Sequence, residues 1–358
     1  MRIIYRILML AFIGLIALSC NKPKRVESQN IILFIGDGMG LAQLCAASGS
    51  VADPLNIERC THVGLMKTQS QDNYITDSGA GGTALSTGHK TKNSYLAVDS
   101  AGNVLKTILE FAEDAGLSTG LVVTCALTHA TPAAFIAHQT GRENNEAIAA
   151  DFVKTDVDVL IGGGRKYFET RSDGRNLIVD LTSRGYTVPD SIWQIPSVFP
   201  EKLAWFRASD HMPGALNGRG DALAESVRVA INILSQNKKG FFLMVEGSQI
   251  DWAGHLNDSL WLVNEVLDFD KAVGEGLNFA ATNKNTTIII LADHETGGLS
   301  LPGGDLKNHS VNIRFSSHDH TGIMVPVYAF GSGASLFTGI YDNTDVFHKM
   351  MRLLKLEE

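Results

Sequence analysis

The chain has little cysteine, little proline and no surplus of positive charge. Four cysteines in 358 residues exclude a disulfide scaffold, and no two of them sit at the spacing of a zinc-binding pair. A net charge of −8 argues against nucleic acid as a main partner. No internal repeat or low-complexity tract appears, which excludes solenoid and fibrous architectures. What remains is ordinary for a globular enzyme-sized chain: 44% apolar and 19% charged residues, enough to bury a large core.

The N-terminus reads as a targeting segment. Arg2 and Arg6 precede an apolar run, Ile7 to Leu18, too short for a comfortable membrane span. Ala17-Leu18-Ser19-Cys20 resembles a bacterial lipoprotein processing site, with Cys20 as the lipidated residue. The expectation is a signal peptide over 1–20, a polar tether over 21–29 and one domain over 30–358. Such a protein is exported to the periplasm or cell envelope and held at a membrane through Cys20, with plain secretion and an uncleaved anchor as the alternatives. Of the other cysteines, Cys45 and Cys60 are the nearest pair, and Cys45, Cys60 and Cys125 permit at most one bridge. Buried free thiols are the alternative, and both stay open.

The rest of the chain is organised around residues 74–92, YITDSGAGGTALSTGHKTK. Gly79, Gly81 and Gly82 let backbone approach a ligand closely, and Ala80, Thr83, Ala84 and Leu85 carry a helix onward. Ser78 at that helix's N-terminus sits where free N–H groups and the dipole favour an anion.

Continuous apolar runs mark strands buried on both faces: Ile31–Ile35, Leu121–Val123, Val157–Ile161, Phe241–Val245, Thr287–Ala292 and Val325–Phe330. Helical spacing covers 104–116, 221–234, about 258–279 and about 344–355. The alternation predicts an α/β fold: a doubly wound, mainly parallel sheet with helices on both faces. Residues 166–215, carrying four prolines, read as a peripheral excursion.

Four of these strands end in an acid or histidine: Asp37, His129, Glu246 and Asp293. In open α/β sheets that edge binds ligands. Together with His255 and His294 they predict a metal cluster there. Oxygen and nitrogen donors without paired cysteines suit zinc and magnesium. Two ions would clamp the attacking and leaving oxygens of an in-line displacement and activate Ser78 without a histidine base. Arg142 supplies a planar fork for two non-bridging phosphate oxygens.

Six segments carry a family resemblance: DGMG, TDSGAGGTALSTG, THATPAAFIAH followed by Arg142, MVEGSQID with His255, ADHETGG and HTG. In this order, from Asn30 to about Gly331, the chain resembles the alkaline phosphatases. The resemblance implies a metal-dependent phosphate monoesterase of broad specificity, with Ser78 forming a phosphoserine and Arg142 gripping phosphate. It implies two Zn2+ ions, one on Asp251, His255 and His320 and one on Asp37, Ser78, Asp293 and His294. It also implies one Mg2+ on Asp37, Thr131 and Glu246. Asp77, His129 and Trp252 would stand around them, Asp77 orienting Arg142. His318, His138 and His89 lie outside the set, His318 near it in sequence only. Two positions depart from the pattern of some members: His129 stands where they have aspartate, and Trp252 where they have lysine. The family's homodimer is implied too, with crown and interface reduced in a chain this short.

Two neighbouring readings compete. A phosphodiesterase or sulfatase of the same superfamily would use a similar cluster, but an arginine fork recognises a terminal dianion best. A non-catalytic phosphate- or metal-binding surface lipoprotein would have no need of Ser78.

Overall fold

The computed structural model describes residues 29–196 and 198–356, so the expected signal peptide and Cys20 lie outside the described residues. At its centre is a nine-stranded sheet. Its strands are β1 (Asn30–Gly36), β2 (His62–Lys67), β3 (Ser118–Ala126), β4 (Val159–Gly163), β5 (Leu203–Phe206), β6 (Phe241–Gly247), β7 (Thr286–Leu291), β8 (Val325–Gly331) and β9 (Gly339–Asp342), in the order β9-β2-β8-β7-β1-β6-β3-β4-β5. Only β8 runs antiparallel to its neighbours β2 and β7, and the other pairings are parallel. The expected α/β, mainly parallel, doubly wound architecture is what the chain adopts.

The apolar runs explain themselves. In β6 the adjacent residues Phe241 and Phe242 point to opposite faces, as the two-residue period of a strand requires. Phe241 meets Phe279 of the helix Ser259–Thr282, while Phe242 stacks on Phe135 on the other side. Both faces are therefore covered, and β1, β6 and β7 are buried along their whole length.

Several elements differ from the sequence reading. The helix expected over 104–116 begins at Ile108, because Thr107 caps it in a reciprocal box with Glu110. Val104 instead bridges Val98 and is 64% exposed. The supposed excursion 166–215 holds helices at Arg165–Glu169 and Leu177–Ser183 and supplies the edge strand β5. Cys45, Cys60 and Cys125 are all free, so the Cys45–Cys60 bridge is not formed.

A buried ion triad ties the end of that excursion to the sheet's helical layer. Arg219 pairs with Glu265 and Asp268 of the helix Ser259–Thr282, all three nearly inaccessible. Glu265 also accepts from Trp261 Nε1 and Ala215 N, each at 2.8 Å. Burial pushes the Asp268 carboxyl up to about 6 even beside Arg219. Substituting Arg219→Met would leave two buried acids without a counter-charge. Breaking such a pair typically costs about 3–5 kcal/mol. The denaturation midpoint should fall accordingly, and fall less at pH 5, where Asp268 can take a proton.

Candidate active site

The strands β7, β1, β6 and β3 are consecutive in the sheet, and their C-terminal ends deliver the site. Asp37 follows β1 on a turn whose next residue, Gly38, has φ +70°. A side chain at Gly38 would lie 2.6 Å from Thr296 Oγ1 and 2.9 Å from the Asp251 Cα, so only glycine lets this turn press against the neighbouring ligands. Gly38 N then donates to Asp293 Oδ1 at 3.2 Å.

Ser78 is the first residue of the helix Ser78–Thr87 and is buried. Asp77 caps this helix, accepting from Ala80 N at 3.0 Å. Its other oxygen accepts from Ser94 N at 3.0 Å and from Arg142 Nη1 at 2.8 Å. Burial works to raise the Asp77 carboxyl, but Arg142 and the two backbone donors outweigh it and hold it below the usual range. Arg142 is thereby aimed at the mouth of the Ser78 helix. The glycines serve a purpose different from the one expected. A Cβ on Gly81 would sit 3.2 Å from Asp293 Cβ, and one on Gly82 3.0 Å from Ala134 Cβ. They bring the helix close onto the protein's own side chains.

Around Ser78 three imidazoles converge. His294 Nε2 lies 3.4 Å from Ser78 Oγ, 3.5 Å from Asp37 Oδ1 and 3.3 Å from Asp293 Oδ2. His320 stacks on His294 with ring centroids 3.6 Å apart. His255 and His320 present their Nε2 atoms to each other at 3.1 Å, each 3.4 Å from Asp251 Oδ1. A third group lies behind: a ring nitrogen of His129, Cys125 Sγ and a Glu246 oxygen lie within 4.8 Å of one another. Trp252 and His211 pack their rings against His129 at centroid distances of 5.8 Å. His138 and His89 bond elsewhere, to Ala97 O and Thr87 O.

The donor set fits divalent metal. His255 Nδ1 and His320 Nδ1 face the carbonyls of His318 and Thr76 at 2.5 and 2.9 Å. A carbonyl only accepts, so each Nδ1 carries the proton and each Nε2 in the neutral ring presents a lone pair inward. Without metal, Asp251 holds protons on this pair, raising His255 to about 9 and His320 above its ordinary value, and a divalent cation would take the place of those protons. The oxygens tell the same story: Asp37 Oδ1 and Oδ2, Asp293 Oδ2, Glu246 Oε1 and Thr131 Oγ1 are buried without a hydrogen-bond partner. Burial, then Asp293, Asp251 and Glu246, push the Asp37 carboxyl well above its ordinary range, opposed by Arg142. A cation reverses that balance.

Two residues that position the site, Thr296 and His211, escaped the sequence reading, and a third, His318, was set aside by it. Thr296 donates to Asp251 Oδ1 at 2.5 Å and touches His294 Nδ1 at 3.3 Å, linking two ligand groups. It lies inside ADHETGG, where the charged residues drew attention. His211 accepts from Ala126 N at 3.0 Å and backs His129, but it sits in the unread excursion. His318 is near the site in space as well as in sequence, since its carbonyl and ring both contact His255.

Fold and site together define a hydrolase of the metal-dependent phosphomonoesterase class. The family model described as "Alkaline phosphatase" matches residues 28–311 and 303–356. The chain is 33% identical to alkaline phosphatase 4 of Bacillus subtilis over 94% of its length and 91% of that protein's. It is 33% identical to the Escherichia coli alkaline phosphatase, with coverages of 92% and 87%. The solved alkaline phosphatase of the Antarctic bacterium TAB5 superposes with a TM-score of 0.89 at 36% identity, covering 94% of this chain and all of the other. The chain belongs to the alkaline phosphatase family and is a phosphate monoester hydrolase that uses metal.

Proposed function

We propose that phosphate monoesters are cleaved by phosphoryl transfer to Ser78 Oγ, with broad specificity. The observation that carries this reading is His294 Nε2, which lies 3.4 Å from Ser78 Oγ and also meets the partnerless oxygens Asp37 Oδ1 and Asp293 Oδ2, with the His255–His320–Asp251 group beside it. Two Zn2+ ions are held, one by Asp251, His255 and His320 and the other by Asp37, Ser78, Asp293 and His294. When bound, the ions lower the pKa of hydroxyl and water and neutralise phosphate charge. Arg142, held by Asp77, takes two non-bridging oxygens and turns phosphorus toward Ser78. The Ser78 O–H bond breaks and its proton leaves to solvent, the Oγ–P bond forms as the ester P–O bond breaks, and the leaving alkoxide takes a proton from solvent. Water then cleaves the phosphoserine, returning the Ser78 hydroxyl and releasing phosphate.

A third cation completes the site, and the family resemblance assigns it as Mg2+ on Asp37, Thr131 and Glu246. A TAB5 variant carrying aspartate in place of a histidine is described with Mg bound in its M3 site, which supports a third position in this fold. Export with lipidation at Cys20 follows from the leader, and loss of membrane association in Cys20→Ala tests it. Pairing of two copies is supported by an apolar face with Leu41 54%, Ile323 60% and Met324 41% exposed, and sedimentation velocity tests it.

The deciding experiment compares an aryl phosphate monoester with the diester and the sulfate ester. Monoester turnover that disappears with chelator is expected, and preference for the diester would overturn the assignment. Arg142→Ala should weaken inhibition by inorganic phosphate by roughly 10- to 100-fold, the worth of charged hydrogen bonds at about 1.5–3 kcal/mol.

A further inference from the structure

The third pocket holds more than the oxygens that suit magnesium. Cys125 is fully buried near the end of β3, with its Sγ 3.3 Å from Glu246 Oε2. Sγ, a ring nitrogen of His129 and a carboxylate oxygen of Glu246 fit within one coordination sphere, all inside 4.8 Å of one another. An independent observation marks the same space. Glu246 Oε1, His129 Nδ1 and Thr131 Oγ1 are each buried with no hydrogen-bond partner. Buried polar atoms of this kind are rarely left unsatisfied, so three from one pocket point to an absent ligand.

The chemistry of the donors then selects the ion. Magnesium demands a near-octahedral shell of oxygen at short range and keeps several waters. Sulfur and imidazole nitrogen serve it poorly, and they serve a borderline-soft tetrahedral ion well. Trp252 and His211 pack their rings on His129 and hold the imidazole beside this pocket.

We propose that Cys125 is a metal ligand, and that with His129 and Glu246 it makes the third cation site a thiolate–imidazole–carboxylate site for Zn2+ rather than one for Mg2+. The inference rests on the third cation position of the reading above and changes its ligands and its metal. Binding replaces the thiol proton by the metal: the S–H bond breaks, an S–metal bond forms, and the proton leaves to solvent. Cys45 and Cys60 lie outside this cluster and serve as internal controls.

The test exchanges the metals of the full purified protein for Co2+, which reports sulfur ligation by a thiolate-to-metal charge-transfer band. Wild-type protein should hold about three cobalt ions per chain and display the band. Cys125→Ser, nearly isosteric, should hold about two and lose it. Cys125→Ala repeats the measurement without a hydroxyl that could ligate in place of sulfur. Three ions with no band, two ions with no band, or a band that survives in both variants would each overturn the inference. Monoester turnover on the same samples separates the two readings. A missing band with turnover intact removes only the thiolate site, whereas a band without turnover removes only the phosphatase assignment.

Discussion

Replacing Ser78 with alanine is expected to lower monoester turnover by at least about three orders of magnitude, the scale of losing a covalent nucleophile. The change removes a single oxygen at the first position of the helix Ser78–Thr87, and the cap made by Asp77 does not depend on it. Structure and metal content should therefore stay close to wild type, which the metal count and a thermal melt check. Incubation with a labelled phosphate ester followed by acid quenching should leave label on the wild-type protein and none on Ser78→Ala. Residual turnover within tenfold of wild type would show that water, not Ser78, attacks the phosphorus.

The second large effect is on stability. Stripping the metals should lower the melting temperature by roughly 5–15 °C, since each site filled to about 1,000 times its Kd contributes about 4 kcal/mol. The pH dependence has a definite sign. In the metal-free cluster, burial pushes Glu246 to about 7 and Asp293 to about 6, both above the ordinary carboxylate values near 4. A carboxyl whose folded-state pKa is raised destabilises the fold as pH climbs from the unfolded value through the folded one, because the unfolded chain ionises first. These two carboxyls thus take stability from the stripped protein between about pH 4 and 7, while His129, which burial holds down to about 3, and His294, also lowered by burial, work against that loss up to about pH 6.5. The loaded protein should gain it there, because its ligands bind metal only when deprotonated. Melts of both forms at pH 5 and pH 7.5 decide the matter, and parallel curves would refute the cluster's role as a cation site.

The central strands could be read from the sequence because burial on both faces writes itself as an unbroken apolar run. β2 could not: its sequence, HVGLMK, alternates, and Val63 and Leu65 are 50% and 38% exposed. β5 and β9 are four residues each, too short for any period to register. Asp37, Glu246 and Asp293 were legible because each follows an apolar run directly, whereas Asp251 and His320 were placed only by the family resemblance. His211 was not, since its place beside His129 depends on how the segment after β5 folds back, which no local pattern encodes. Cys125 was visible but was weighed only against other cysteines. Its partners are a glutamate and a histidine, the former brought from another strand by the parallel pairing of β3 and β6.

That pairing fixes more than neighbours. Asp37, His129, Glu246 and Asp293 stand at the ends of four adjacent strands, so the spacing of these groups derives from the interstrand repeat of about 4.8 Å. Backbone hydrogen bonding holds that repeat nearly constant however the connecting loops change. The sheet edge thus acts as a ruler for an ion pair, whose working separation of about 4 Å is of the same size. Loops over the pocket can lengthen, shorten or acquire new side chains while the graduations stay fixed. Substrate preference and chemistry are in this way written in different parts of the chain, and one can drift without disturbing the other.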